Sequence, residues 1–303
     1  VAAVTSGQFA QLPNGMRLHY SSAGTKGAPL VLFLHGFPEA WFEWQAQLEA
    51  FGVDYFAVAP DLRGFNLSSQ PIGVEHYRPK CIVEDVGQLV AALGYSSMRL
   101  VAHDWGGAIA WNVALFLPQR VERLVIINAP HPYLFMRELA RSPAQQAASQ
   151  YMNWLRRPGS EAILVKDDFV RLDGMFARGG KELPAWFDDA TRARYHEAWG
   201  RVGQSGAPPM QGAVNYYRAS PLRPPEPGES AAPFTADPAQ WTIRVPTEVI
   251  WGEGDIALLP GLLEGLEEVV PGVRVTRIAE GSHWVLHEQP ERINALIRAA
   301  LTR

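Results

Sequence analysis

Four short apolar runs constrain this chain more than any other feature. Leu30–Leu34 (LVLFL), Tyr55–Ala59 (YFAVA), Met98–Ala102 and Leu124–Ile127 lack the alternation of a half-exposed strand and are too short for a long helix. Such runs suit strands buried on both faces. Helical spacing separates them: Ile82, Val83, Val86, Leu89, Val90 and Leu93 recur at helical intervals before Gly94, and Ala108–Phe116 follows the third run. Strand–helix–strand–helix–strand implies a parallel sheet with right-handed crossovers. Met16–Ser21 (MRLHYS) adds an alternating strand in front. The same texture returns late, with strands expected at Thr247–Trp251 and Val273–Ile278 and helices at Leu258–Val269 and Arg292–Leu301.

Residues 131–242 interrupt this α/β pattern. Trp154, Trp186, Trp199, Trp241, Tyr151, Tyr195, Tyr216 and Tyr217 fall here among helical spacings, and Ser220–Pro238 is dense in proline and reads as an extended linker. The expected organisation is a core of residues 1–130 and 243–303, split by a mainly helical insertion at 131–242. That insertion lies as a cap over the carboxyl edge of the sheet, where open α/β folds bind ligands.

Composition removes several function classes. A net charge of −4 without a Lys/Arg block argues against nucleic acid. The single cysteine, Cys81, rules out an internal disulfide and reads as a small buried hydrophobe. His35, His103 and His131 fall on separate elements without metal-ligand spacing, and neither a G-x-G-x-x-G after a strand nor a P-loop occurs. No metal and no cofactor are therefore expected. No apolar run is long enough to span a membrane, and Val1-Ala-Ala-Val carries no basic segment of the kind that opens a secretion signal. The expected setting is the cytoplasm, as a monomer or homodimer.

The chemistry concentrates at three places. In Leu100-Val-Ala-His-Asp-Trp-Gly-Gly-Ala, Ala102 and Gly106 flank Asp104 two residues to either side, between a buried strand and a helix. That is the spacing of a nucleophile elbow with aspartate in the nucleophile's place. An aspartate there can also simply cap the helix. His35-Gly-Phe-Pro-Glu follows the first run and can bring the Phe37 amide beside that of Trp105 as two oxyanion donors. His35 itself reads as a histidine bonding its own loop. Trp251-Gly-Glu-Gly-Asp255 and Gly281-Ser-His283-Trp each lie just past a strand, at the same edge as Asp104. The order is thus nucleophile, acid, histidine, with Glu253 and His287 as the alternatives to Asp255 and His283.

Together with Arg63-Gly-Phe-Asn-Leu-Ser and Asn215-Tyr-Tyr-Arg, these motifs resemble the α/β-hydrolase-fold epoxide hydrolases over nearly the whole chain. The resemblance implies an α/β-hydrolase core with a cap, in which Tyr217 and Tyr151 point down at the nucleophile and Tyr216 points elsewhere. His35, Pro38 and Trp105 are expected to border the substrate. An ionised carboxylate needs no base to attack an sp³ carbon. Asp104 would form an alkyl ester, and water activated by His283 and Asp255 would hydrolyse it to a diol. The same triad also fits a haloalkane dehalogenase, where a departing halide needs no proton. The tyrosine pair favours an epoxide, whose oxygen leaves as a basic alkoxide. Fluoroacetate dehalogenases carry arginines at the places of Trp105 and Ala108, which disfavours a haloacid. A non-catalytic binding protein would not need all three triad members.

Overall fold

The computed structural model describes residues 1–177, 180 and 182–303. Eight strands form one sheet: β1 (Val4–Gln11), β2 (Arg17–Ala23), β3 (Leu30–Leu34), β4 (Phe56–Pro60), β5 (Met98–His103), β6 (Val121–Ile127), β7 (Thr247–Gly252) and β8 (Arg274–Ile278). Their order across the sheet is β1-β2-β4-β3-β5-β6-β7-β8, parallel from β4 to β8 with β1 and β2 antiparallel at one edge.

The apolar runs are buried on both faces, as their lack of alternation requires. In β3, Leu30, Leu32 and Leu34 pack into one hydrophobic cluster while Val31 and Phe33 pack into the other. In β5, Leu100 and Ala102 join the first cluster and Val101 the second. The helix Pro79–Ala92 covers the first face through Ile82, Val86, Leu89 and Val90. Pro79 sits in its first turn, where no amide hydrogen is missed. The final helix, Pro290–Thr302, covers the second face through Ile293, Ile297 and Leu301.

Four local features differ from the sequence expectation. β1 went unread, because only one side of this edge strand is shielded and Gly7, at φ +73°, interrupts its register. The elbow helix runs Asp104–Phe116 and starts four residues before Ala108. The single helix expected over 258–269 is instead a 3-10 turn at Pro260–Leu263 and a short helix at Leu266–Val269, divided by Gly265 at φ +78°. Cys81 is half-buried, not fully enclosed.

Between β6 and β7 the chain is helical, including Pro132–Arg141, Gln150–Arg156, Asp189–Trp199 and Gln211–Ala219. The last two of these helices pack on the loops that leave the carboxyl ends of β3 and β4. Trp199 donates its indole N–H to the Pro38 carbonyl at 2.5 Å, and Tyr216 donates its hydroxyl to the Arg63 carbonyl at 2.7 Å.

Candidate active site

A parallel sheet delivers the carboxyl ends of its strands to one edge, and the candidate residues arrive there together. Asp104 follows β5, Gly36 and Phe37 follow β3, Asn128 follows β6, Asp255 follows β7 and His283 follows β8. Asp104 adopts φ +52°, a left-handed conformation that costs a non-glycine residue about 1–3 kcal/mol. The crowding around it explains its small neighbours. A Cβ on Gly106 would lie 2.3 Å from the Leu34 carbonyl oxygen, and one on Gly36 would lie 2.3 Å from the Cβ of Asp104.

The three triad candidates meet. His283 Nε2 is 3.0 Å from Asp104 Oδ1, and His283 Nδ1 is 2.5 Å from Asp255 Oδ2. The other Asp104 oxygen accepts the Phe37 amide at 2.8 Å. The Trp105 amide belongs to the first turn of the elbow helix, where N–H groups have no acceptor within the helix. Asp255 is buried and held on every side. Its Oδ1 accepts the Ala257 and Leu258 amides at 2.9 and 2.8 Å, and its Oδ2 accepts Asn128 Nδ2 at 3.0 Å. Asn128 is a supporting residue that sequence reading missed; its only signal was its place directly after a buried strand.

Electrostatics follow from this packing. Burial disfavours the Asp104 carboxylate, yet the His283 hydrogen bond and charge, with the charge of His103 and the Phe37 amide, hold its pKa below the ordinary value. Burial likewise disfavours an imidazolium at His283, but Asp255 and Asp104 outweigh it and raise its pKa to about 9.

A second buried cluster lies behind His283, and sequence reading missed it too. His103 donates Nε2–H to the His283 carbonyl at 2.8 Å, while its Nδ1 is 2.5 Å from Glu43 Oε1. Glu39 Oε1 accepts both the Tyr195 hydroxyl and His287 Nε2 at 2.5 Å. His287, whose ring stacks on Trp186 at 4.1 Å, is thereby bound to Glu39, whereas His283 faces Asp104. Burial and the charge of Glu39 raise the Glu43 pKa to about 8. Burial opposes a charge on His103, but Glu43 and Glu39 raise its pKa well above the ordinary value. Donor atoms of Glu39, Glu43 and His103 lie within 4.8 Å of one another, the one grouping of metal-ligand types among the described residues. Hydrogen bonds to Tyr195, His287, the Gly36 amide and the His283 carbonyl already engage these three side chains.

A cavity of about 370 Å³ opens above Asp104, bordered by Trp105, Ala108, Tyr151, Tyr217 and Leu258 among others. Tyr217 meets Trp105 and Phe37 edge to face, with centroids 5.3 and 5.1 Å apart, and lies 6.1 Å from the Tyr151 ring. Burial pushes the Tyr217 phenol well above its ordinary pKa, and Tyr151 and Asp104 add to the shift. Tyr151 is 37% exposed as a whole residue, but its phenol shifts the same way, through desolvation at the cavity wall and the Asp104 charge. Tyr216 turns away to the Arg63 carbonyl.

His35 and Pro38 do not border this cavity, against expectation. The His35 ring is fully buried and spends both nitrogens on its own surroundings: Nδ1 donates to the Gly36 carbonyl at 2.9 Å, and Nε2 accepts the Leu62 amide at 3.0 Å. Burial lowers its pKa, consistent with a neutral ring. Pro38 lies under the Asp189–Trp199 helix through its bond to Trp199.

Residues 29–290 match the family model described as alpha/beta hydrolase fold. The chain is 35% identical over 299 residues to "Epoxide hydrolase 4" of Mus musculus, covering 95% of this chain and 77% of that protein. It is likewise 35% identical to the "AB hydrolase superfamily protein YfhM" of Bacillus subtilis (strain 168), covering 94% of each. A crystal structure of a Bacillus megaterium epoxide hydrolase with an inhibitor superposes with a TM-score of 0.83 at 35% identity, over 98% of this chain and 100% of that one. The chain belongs to the α/β-hydrolase-fold epoxide hydrolase family. In this member Asp104 and the paired tyrosines border one apolar cavity, and His283 and Asp255 line up behind Asp104. Among its described residues no helix is long and apolar enough to cross a membrane.

Proposed function

We propose that this protein hydrolyses an epoxide to a vicinal diol through an alkyl ester on Asp104. One observation carries the reading: Asp104, held by His283 and through it linked to Asp255, borders the same cavity as Tyr151 and Tyr217. In this reading residues 131–242 act as a cap on a core formed by 1–130 and 243–303.

In the first step an Asp104 oxygen bonds to an epoxide carbon and the ring C–O bond breaks. The ring oxygen takes a proton from the tyrosine pair. A phenol that gives up its proton within a hydrogen bond can contribute about 10²–10⁴-fold to such a step. In the second step His283, oriented by Asp255, removes a proton from water as its oxygen bonds to Asp104 Cγ. The oxyanion formed there rests on the Phe37 and Trp105 amides, a contact worth roughly 3–4 kcal/mol per well-placed donor. Collapse of this intermediate breaks the ester, and the departing alkoxide takes the proton from His283. The water's second proton, released as Asp104 returns to carboxylate, restores the phenol.

Esterification also changes the base. While Asp104 is ionised it keeps His283 protonated; once it is a neutral ester, only Asp255 supports the imidazolium and the pKa falls. The base therefore becomes available when the intermediate forms: the imidazolium proton passes to solvent, and one is taken up again once Asp104 regains its charge. The test is steady-state turnover of styrene oxide beside a panel of 1-bromoalkanes. Phenylethanediol without bromide release is expected; bromide release without diol would assign the site to haloalkanes instead.

A further inference from the structure

We infer that the substrate carries an extended apolar substituent, held in a second compartment behind a gate formed by Met136 and Leu222; this rests on the epoxide reading above. Asp104, Ala108 and Asn112 all border the active-site cavity. Four residues apart, they share one face of the elbow helix, so the cavity extends about 12 Å along it from the nucleophile at a rise of 1.5 Å per residue. Met136, Pro221 and Leu222 border this cavity and also a second one of about 520 Å³. The first alone stands near the lower end of the about 300–1,000 Å³ usual for small-molecule sites. It suits a compact epoxide, and a longer one needs the second.

The second compartment lies between the helix Pro132–Arg141 and the proline-rich segment, with Leu139, Pro233 and Phe234 on its walls. Its charged groups are already engaged. Arg223 is paired with Glu229 at 3.0 Å, and the neighbouring Arg141 guanidinium lies over the Phe234 ring at 4.9 Å. This second compartment is a groove open to solvent, with Glu229, Ser230, Ala232 and Thr235 exposed along it; its walls are mainly apolar and Arg223 and Glu229 neutralise each other, which favours hydrocarbon or aryl groups over ionic ones.

The dividing wall is built to yield in its side chains only. Its backbone is tied down, with the Leu222 amide on Ser220 Oγ at 3.1 Å and Asn153 Nδ2 on the Pro224 carbonyl at 3.2 Å. Met136 and Leu222 are both only half-buried. Methionine's unbranched chain moves between rotamers at little cost.

The experiment measures kcat/KM for terminal epoxides from 1,2-epoxybutane to 1,2-epoxydodecane. Isothermal titration with the matching alkane-1,2-diols reads the same chain-length dependence without turnover. Both should rise with length, by up to about fourfold per buried methylene. Ala232 is exposed and borders only the second compartment, so Ala232→Trp fills that space from its far side. Ala232→Trp and Leu222→Trp should each cut the dodecane-to-butane ratio at least tenfold, and Ala232→Trp should leave 1,2-epoxybutane turnover within about twofold. A flat length dependence in both assays overturns the compartment. A length dependence that neither variant alters overturns this placement of it. Diol affinity that rises with length, with no epoxide turned over, overturns the epoxide reading and leaves the compartment standing.

Discussion

Replacing Asp104 by asparagine imitates the charge of the proposed ester intermediate and isolates its effect on His283, the proposed base. The His283 and Asp104 side chains are only 12% and 13% exposed, so solvent screens their 3.0 Å contact poorly. An opposite charge at such range moves a pKa by about 1–3. Removing it leaves burial to lower the imidazolium against Asp255 alone. From about 9 in the wild type, His283 should therefore fall to roughly 6–8 in Asp104→Asn. At 1.36 kcal/mol per pKa unit, forming the proposed ester would release about 1.4–4 kcal/mol that otherwise keeps the imidazole protonated. The sign follows for turnover. Ester hydrolysis needs neutral His283, so its rate should rise with pH up to this lowered pKa and level off well below 9. The assay is an NMR titration of ring-labelled histidine in both proteins, with mass spectrometry to show that the Asp104→Asn amide is intact. An unchanged His283 pKa would refute the reasoning, since ester formation would then not free the base.

Other outcomes are expected at the same site. His283→Gln should stop ester hydrolysis and leave a substrate-mass adduct on the Asp104 peptide, read by peptide mass spectrometry after mixing with styrene oxide. Tyr217→Phe should lower kcat at least tenfold, while Tyr216→Phe should change kcat less than threefold and cost about 1 kcal/mol of stability by losing its bond to the Arg63 carbonyl; the reverse ranking would refute Tyr217 as proton donor. Gly106→Ala forces a Cβ to within 2.3 Å of a main-chain oxygen, so it should lower the thermal midpoint by the equivalent of about 1–3 kcal/mol or more, measured by calorimetry.

The parts of this molecule legible in its sequence are those set by neighbours along the chain. Ala102, Asp104 and Gly106 announce the elbow because the turn itself rejects larger flanking side chains. Asp255 and His283 were readable because strand ends in a parallel sheet share an edge, and the tyrosine pair was readable through the family resemblance. What escaped depends on contacts distant in sequence. Glu43 lies sixty residues from His103, and Glu39 reaches Tyr195 and His287 across 156 and 248 residues. No local pattern announces such pairings. His35 and Pro38 lie beside Phe37 in sequence, yet their bonds to Leu62 and Trp199 keep them out of the cavity. The 258–269 segment has helical spacing, but Pro260 and Gly265 break it locally.

The central claim is a covalent ester on Asp104, and one turnover in ¹⁸O-water with enzyme in excess over styrene oxide tests it most directly. The account predicts unlabelled diol and one ¹⁸O in the Asp104 peptide, because water attacks the side-chain carbonyl carbon and the diol leaves with an oxygen that belonged to the protein. Label in the diol, with none in the Asp104 peptide, would mean that water attacks the epoxide directly and would contradict it.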